Sequence, residues 1–438
     1  MGGDSNMKRF LGAVLVLLTL VSIMAMPVAA ADAAFTDVPE NAWYRTAVLW
    51  ARSKQIVKGT SATTFSPNRA CTRAQVVTFL WRAKGCPAPK TACAFGDVPT
   101  DAWYARAVGW AVEQGITNGT SKTCFSPDRI VTRAEMVTFL WRASGKPASS
   151  YRPDFRDVDA DSFYHTAVCW GAENRIVMGS GKQKFEPNKT CTRAEAVTFL
   201  FRTFFSYPTM TALKSNVQAQ LAGKEGTWSV YLYQPDTEIL ISLNPKKIEA
   251  ASLIKLFVAG GYEQCVENGT ASANDRNLMD LMLSQSSNYC CDILIDRIGL
   301  NAINQFAKNG GFADTVIRRK MNSGSGTNYT SCRDCCTALQ QIAEGTYVNQ
   351  TASARILNAL LAQQRRDKIP AGVPGGVSVA NKTGELRYAQ HDAAAVFAPC
   401  GTYYLCVMST DLTNINAAKA LIVSISRTVY EAIGPLPY

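Results

Sequence analysis

Ser252 and Lys255 stand three residues apart in the stretch "EAASLIKLFV", Glu249 to Val258, a spacing that puts them one turn apart on a single helix face. A serine hydroxyl is a poor nucleophile until a neighbouring base takes its proton. Lysine serves as that base once burial and a second cation lower its pKa. A serine–lysine pair at this spacing arises by chance about once or twice in a chain of this length, so its meaning depends on its partners. Two further runs follow in order, Ser286-Ser287-Asn288 and Lys382-Thr383-Gly384, and Lys382 can supply the second cation. The chemistry expected of such a set is acyl transfer through Ser252. A histidine triad is not available: the only histidines are His165, which lies in a different part of the chain, and His391, which reads as a structural residue at a strand end.

These residues need a scaffold, and the pattern around them supplies one. A helix is expected from near Thr211, once Pro208 has closed the preceding pattern. "TWSVYLYQPDTEILISLNP" then gives two β-rich runs around a Pro235-Asp236 turn, a hairpin signal. From Ser252 to about Ala343 the pattern is helical. Strand-like runs return at "GVSVANKTG", "AAAVFAP" and "TYYLCVMST", and an apolar helix from Ala417 to Tyr430 follows. Strands at both ends with helices between them predict an α+β domain: one antiparallel sheet, flanked by terminal helices and carrying a helical subdomain. Ser252 would open a helix and Lys382 would lie on a strand.

Taken in order, the three motifs resemble the class A β-lactamase and penicillin-binding-protein family of serine hydrolases, over roughly Thr209 to Tyr438, including "IPAGVP" before the last motif and "HDAAAVFAP" after it. The resemblance implies that Ser286 relays a proton to the leaving amide nitrogen and that Asn288 holds the substrate's side-chain amide. Lys382 and Thr383, in the motif closed by Gly384, would bind its carboxylate, and the backbone N–H groups of Ser252 and Glu385 would form the oxyanion hole. The implied substrates are β-lactams or D-alanyl-D-alanine-type peptides, and no cofactor or metal is implied. This sequence departs from the family in three places. "DTVIRRKMN" aligns Arg319 with the arginine of an R-x-E pattern and puts Met321 where the deacylating glutamate stands. The span from Ser252 to Ser286 is short, which predicts an open cleft with one wall missing, and Ser287 replaces the usual aspartate. These departures favour acylation over fast antibiotic turnover. The alternatives are a penicillin-binding D,D-peptidase without turnover and a non-catalytic wall protein that only binds peptidoglycan.

Upstream, the chain repeats itself every sixty residues. "FTDVPENAWYRTAVLWA" begins at Phe35, "FGDVPTDAWYARAVGWA" at Phe95 and "FRDVDADSFYHTAVCWG" at Phe155, and Thr72, Thr132 and Thr192 keep the same period. Each unit reads as helix, turn at Gly59, Gly119 or Gly179, Phe-x-Pro loop and second helix, with Gln75, Glu135 and Glu195 completing capping boxes. Two helices cannot bury positions such as Val76, Phe79 and Leu80 alone, so the units should pack together. The F-x-D-V opening, the W-Y pair and the T-R-A-E run resemble the S-layer homology family, over Phe35 to Arg202. That resemblance implies an all-α three-fold assembly whose grooves hold anionic, pyruvate-bearing secondary cell-wall polymers. Arg73, Arg133 and Arg193 would contact the acid groups, helped by Asp37, Asp97, Asp157, Trp43 and Trp103. The third unit has Phe163 in place of the tryptophan, which predicts a weaker third groove.

The charge distribution agrees. Residues 31–208 hold 23 Lys and Arg against 15 Asp and Glu, whereas residues 209–438 hold 20 against 18, so the basic excess sits in the repeats. Guanidinium groups take carboxylates bidentately. Of the 438 residues 47% are hydrophobic and 18% charged, a globular composition with room for several cores. Lys8 and Arg9, the apolar run Phe10 to Val28 and the small residues Ala29 to Ala31 read as a secretory signal; a retained anchor fits the small residues after Pro27 less well. The expected partition is a signal at 1–30, repeats at 31–90, 91–150 and 151–208, and the hydrolase domain at 209–438. An extracellular, wall-bound protein follows, with peptidoglycan and its polymers as partners, no nucleic acid, and no membrane span after cleavage. Fourteen cysteines at irregular spacings in a chain of this length do not read as a disulfide framework, although Cys86 and Cys93 could close a short loop; the cluster Cys332, Cys335 and Cys336 with the pair Cys290 and Cys291 reads as buried free thiols rather than a metal site.

Overall fold

Thr72, Thr132 and Thr192 each open the second helix of a repeat, their hydroxyls accepting the backbone N–H three residues on while Gln75, Glu135 or Glu195 reaches back. The first helices are α1 (Arg45–Ser53), α3 (Ala105–Glu113) and α5 (His165–Glu173); the second are α2 (Arg73–Ala83), α4 (Arg133–Ala143) and α6 (Arg193–Phe201). The computed structural model describes residues 35–435 apart from 41 and 92, and the expected export signal lies outside them. The three units close into a ring. At its centre Cys71 N donates to Cys191 O at 3.0 Å, Cys191 N to Val131 O at 2.9 Å and Val131 N to Cys71 O at 3.0 Å. Val76, Phe79 and Leu80 and their mates form one shared core, as the repeat pattern requires. Glycine at 59 is forced by close approach: a Cβ there would lie 2.2 Å from Ser61 O and 2.7 Å from the Phe35 ring.

Pro208 does not break the chain as the sequence suggested. After α6 the helix widens into a π turn, Arg202–Ser206, and continues as α7 (Tyr207–Leu221); Tyr207 N pairs with Arg202 O five residues back, and the widened turn makes room for the Pro208 ring inside an unbroken helix. The second domain follows as β1 (Thr227–Gln234), β2 (Ile239–Leu243), β3 (Lys247–Glu249), α8 (Lys255–Glu267), α9 (Arg276–Ser284), α10 (Asn288–Asn309), β4 (Tyr329–Ser331), α11 (Cys332–Ala343), α12 (Gln350–Leu361), β5 (Ser378–Leu386), β6 (Ala389–Ala398), β7 (Gly401–Thr410) and α13 (Ile415–Ile433).

Five strands form an antiparallel sheet in the order β2-β1-β7-β6-β5, and the β1–β2 hairpin turns at Pro235–Thr237 as expected. Side chains alternate across it. Along β7, Tyr403, Leu405 and Val407 meet Leu213 of α7 and Ile422 and Ile425 of α13. Tyr404, Cys406 and Met408 face the helical subdomain, with Leu253, Phe257 and Leu339. The molecule is thus a helical three-repeat assembly joined to an α+β domain. No helix among the described residues is long and apolar enough to cross a membrane.

Candidate active site and anion-binding grooves

Ser252 sits in a tight 3-10 turn, Ala251–Ile254, that feeds α8. The residue before it, Ala251, has a φ of +45°, a left-handed conformation that a Cβ disfavours. Lys255 is fully buried, and its Nζ lies 3.0 Å from Ser252 Oγ, 2.7 Å from Ser286 O, 2.6 Å from Asn288 Oδ1 and 3.4 Å from Ser286 Oγ. Burial lowers its pKa to about 8, with Arg365 adding repulsion. In the neutral amine the 3.0 Å contact can reverse, the serine hydroxyl donating to nitrogen.

Lys382, also fully buried, donates to Ser286 Oγ at 2.8 Å and to Thr383 O at 2.9 Å. Burial first and the Lys255 charge second hold its pKa well below the usual lysine value. Ser286 has a φ of +61° and so turns its hydroxyl between two lysines at the bend from α9 to α10. Ser287, in the place of the usual aspartate, caps α10 by accepting from Cys290 N at 3.2 Å; either residue type does that job. Asn288 opens α10, and its Nδ2 lies 3.4 Å from Asn322 Oδ1.

The third motif lies on the edge strand β5. Gly384 is required by proximity, since a Cβ there would meet His391 Cδ2 at 3.0 Å, Ala250 O at 3.2 Å and Ala251 Cβ at 3.3 Å. This is what brings strand and nucleophile turn together. The Glu385 carboxylate is taken by Arg365 at 2.6 Å and Lys368 at 2.8 Å, so only its backbone is left for substrate.

Met321 lies on a short loop pinned at both ends. Asp292 of α10 accepts from Met321 N at 2.6 Å and Asn322 N at 3.0 Å, while Asn328 Oδ1 accepts from Arg318 N at 2.8 Å and Arg319 N at 3.1 Å. Asp292 is therefore spent on backbone. Glu249 is likewise spent, on Tyr388 Oη at 2.7 Å and Arg319 at 3.8 Å. His391 is buried and neutral, its pKa lowered to about 4 by burial; Nε2 donates to Glu249 O at 2.9 Å and Nδ1 accepts from Ser409 N at 3.2 Å.

Beneath β5 lies a buried polar group that the sequence reading missed. Lys368 Nζ reaches His391 O at 3.2 Å, and Asp392 accepts from Ile369 N at 2.9 Å and Asn381 Nδ2 at 3.0 Å. Burial raises the Asp392 pKa to about 6. The signal was present in the aspartate set against the apolar run of "HDAAAVFAP".

In the repeats the three expected arginines are buried at the seams. Arg73 Nε donates to Phe125 O, Arg133 Nε to Phe185 O and Arg193 Nε to Phe65 O, at 2.9, 2.9 and 2.8 Å, each crossing to a neighbouring repeat. Asp37, Asp97 and Asp157 use both carboxylate oxygens on backbone N–H groups of the Phe-x-Pro loops, at 2.7–2.8 Å. Their work is internal, which leaves little of them for a ligand. Trp43, Trp103 and Phe163 are 62%, 61% and 66% exposed. A cavity of about 470 Å³ opens on the second repeat, lined by Arg73, Arg129, Glu135, Arg142 and Phe163 among others. Phe163 thus serves the groove of the preceding repeat, a correction to the reading that placed it in its own. All fourteen cysteines are unpaired, and Cys86 and Cys93 do not close a loop. Among the described residues no cluster of His, Cys, Asp or Glu could hold a metal ion.

Comparison with known proteins finds two families in the chain, the second matched only from a point after the Ser252 turn. The model of the β-lactamase enzyme family matches residues 274–433, and that of the S-layer homology domain matches 34–77, 94–137 and 144–197. The S-layer protein sap of Bacillus anthracis is 29% identical over 46% of this chain and 25% of its own length. The surface-layer 125 kDa protein of Lysinibacillus sphaericus is 30% identical over 42% of this chain and 16% of its own. The chain therefore spans a quarter or less of these relatives. Among solved structures, PBP-A is 24% identical with a TM-score of 0.48, over 51% of this chain and 96% of its own. The β-lactamase from Sphaerobacter thermophilus is 24% identical with a TM-score of 0.46, over 52% and 98%.

Proposed function

We propose, for a chain that carries three S-layer homology repeats followed by a β-lactamase-family domain, a cell-surface serine hydrolase that the repeats hold on the wall. The observation that carries this reading is Lys255 Nζ within hydrogen-bond reach of both Ser252 and Ser286, with Lys382 on Ser286 from the other side; the neutral Lys255 amine is the form that acts. Ser252 Oγ attacks the carbonyl of a β-lactam or a D-alanyl-D-alanine-type peptide and gives its proton to Lys255 Nζ. The C–N bond breaks as a proton passes through Ser286 Oγ to the departing nitrogen, which leaves an ester on Ser252. Asn288 and Thr383 hold the substrate's amide and carboxylate, and the N–H groups of Ser252 and Glu385 carry the oxyanion. Water then cleaves the ester. With Met321 at the glutamate position and Asp292 and Glu249 engaged elsewhere, that last step is slow.

The repeats take an anionic secondary cell-wall polymer, since the basic residues concentrate there. Domain boundaries near residues 90, 150 and 208 belong to the same proposal. The test is incubation of the whole chain and of Ser252→Ala with a chromogenic cephalosporin and a fluorescent penicillin. Serine-dependent turnover identifies a β-lactamase, a stable serine-dependent label identifies a penicillin-binding peptidase, and neither signal overturns the enzyme reading.

A further inference from the structure

The three grooves of the repeat ring follow one plan but carry different charge. The cavity on the second repeat is lined at positions 73, 118, 129, 135, 142 and 163, giving Arg73, Arg129 and Arg142 against Glu135, a balance of +2. Shifting these positions by sixty residues, with the ring closed, gives the other two grooves. In the first, Arg193 crosses from the third repeat, Lys58 stands where Asn118 stands, Arg69 and Arg82 follow, and Gln75 replaces the glutamate. Its balance is +4 with no acid among these positions, and Trp103 is its aromatic. In the third, Arg133, Lys189 and Arg202 oppose Glu195, with Met178 at the Lys58 position and Trp43 as the aromatic.

Two outside acids then draw down the charge of the third groove. Glu186 pairs with Lys189 at 3.2 Å. Glu238, from the β1–β2 turn of the second domain, lies 3.8 Å from Arg202 and 2.5 Å from Arg175. The equivalents of Arg202 behave otherwise: Arg82 donates to Ile56 O at 3.2 Å and Arg142 to Ile116 O at 3.1 Å, each inside its own repeat. Arg133 is also held closer by its glutamate, at 2.8 Å against 4.0 Å for Arg73 and Glu135. The Arg175 guanidinium lies over Tyr233 of β1, 5.8 Å from the ring centre, and the π turn joins the two domains beside it.

We infer that the grooves are graded, the first being the principal site for the carboxylate-bearing wall glycan and the third a docking surface for the hydrolase domain. The inference rests on the polymer reading above and says which repeat does which task. Anion affinity follows local charge, so the ranking runs from first to third.

Positions 58, 118 and 178 are equivalent and exposed, so each groove can be made more negative by one unit without touching the core. The whole chain and its Lys58→Gln, Asn118→Glu and Met178→Glu variants, each a change of one charge, are titrated calorimetrically with a short pyruvate-ketal saccharide. Lys58→Gln is expected to lower affinity about tenfold, Asn118→Glu about threefold, and Met178→Glu not measurably. Equal losses, or the largest loss at Met178, overturn the grading while leaving the polymer reading in place. A parent chain that does not bind the saccharide overturns both. In a Glu238→Gln background the third groove regains a free guanidinium, and Met178→Glu is then expected to cost about threefold. No cost there refutes the docking role of that groove.

Discussion

Lys255 and Lys382 share one hydroxyl: their ammonium nitrogens lie 3.4 and 2.8 Å from Ser286 Oγ, and both side chains are fully buried. Two cations on one acceptor repel, and removal of a proton from either relieves the repulsion. Lys255 is the one that also touches Ser252.

The acylation rate should therefore rise with pH through about 8, where Lys255 becomes neutral. Labelling by a fluorescent penicillin, followed from pH 6 to 9.5, is expected to climb about tenfold per unit on the acid limb and level off above pH 8. Lys255→Ala should lose about 10²-fold or more and lose the pH dependence with it. The stability effect has a matching sign. Between about 8 and 10.5 the unfolded chain binds more protons at this lysine than the native one, so the free energy of unfolding should rise with pH in that window. A flat profile in both measurements contradicts the assignment of Lys255 as base.

Met321→Glu places a carboxylate on a loop already pinned by Asp292. Release of the acyl group, read as recovery of free enzyme after penicillin labelling, is expected to quicken about 10²-fold with acylation unchanged. Unaltered release would show that position 321 is not beside the ester.

The clustering of Ser252, Lys255 and Ser286 was legible because the first two lie one turn apart and the third opens a short motif that the fold brings within 3.4 Å of Lys255 Nζ. The sheet and its flanking helices were legible from period-two and period-four runs. Asp292, Asn328 and Glu238 were not. Each acts by accepting from backbone N–H groups or from arginines distant in sequence, and such pairings leave no periodic trace. Pro208 misled because a proline accommodated behind a π turn looks, in one dimension, the same as a proline that ends a helix.

Arg133→Ala should destabilise the repeat ring by about 2–4 kcal/mol. It leaves Phe185 O and Met178 O, accepting at 2.9 and 3.1 Å, without their donor, and Glu195 without its cation. Thermal unfolding of the whole chain, followed by tryptophan fluorescence, reads this directly. A change within error would mean that the seam arginine contributes nothing to closure and is free for ligand.

Ala251→Gly tests the strained turn. Glycine adopts a φ of +45° without steric cost, so stability should rise by up to about 1 kcal/mol while penicillin labelling falls several-fold as the Ser252 turn loosens. A lower melting temperature would show that the packing of the buried Ala251 methyl matters more than the backbone conformation.

The run of helix from α6 through the π turn into the fifteen residues of α7, about 40 Å of rod, sets how the β-lactamase-like domain is held on the repeats. An enzyme on a flexible leash sweeps a volume that grows with leash length and finds scattered targets by diffusion. Here the leash is a strut, and Glu238 braces it. If the first groove clamps a polymer strand as proposed, Ser252 would ride at a fixed height and bearing above the wall. It would reach only peptides within a narrow arc, and new ones would have to arrive by growth of the wall or by release and rebinding of the clamp.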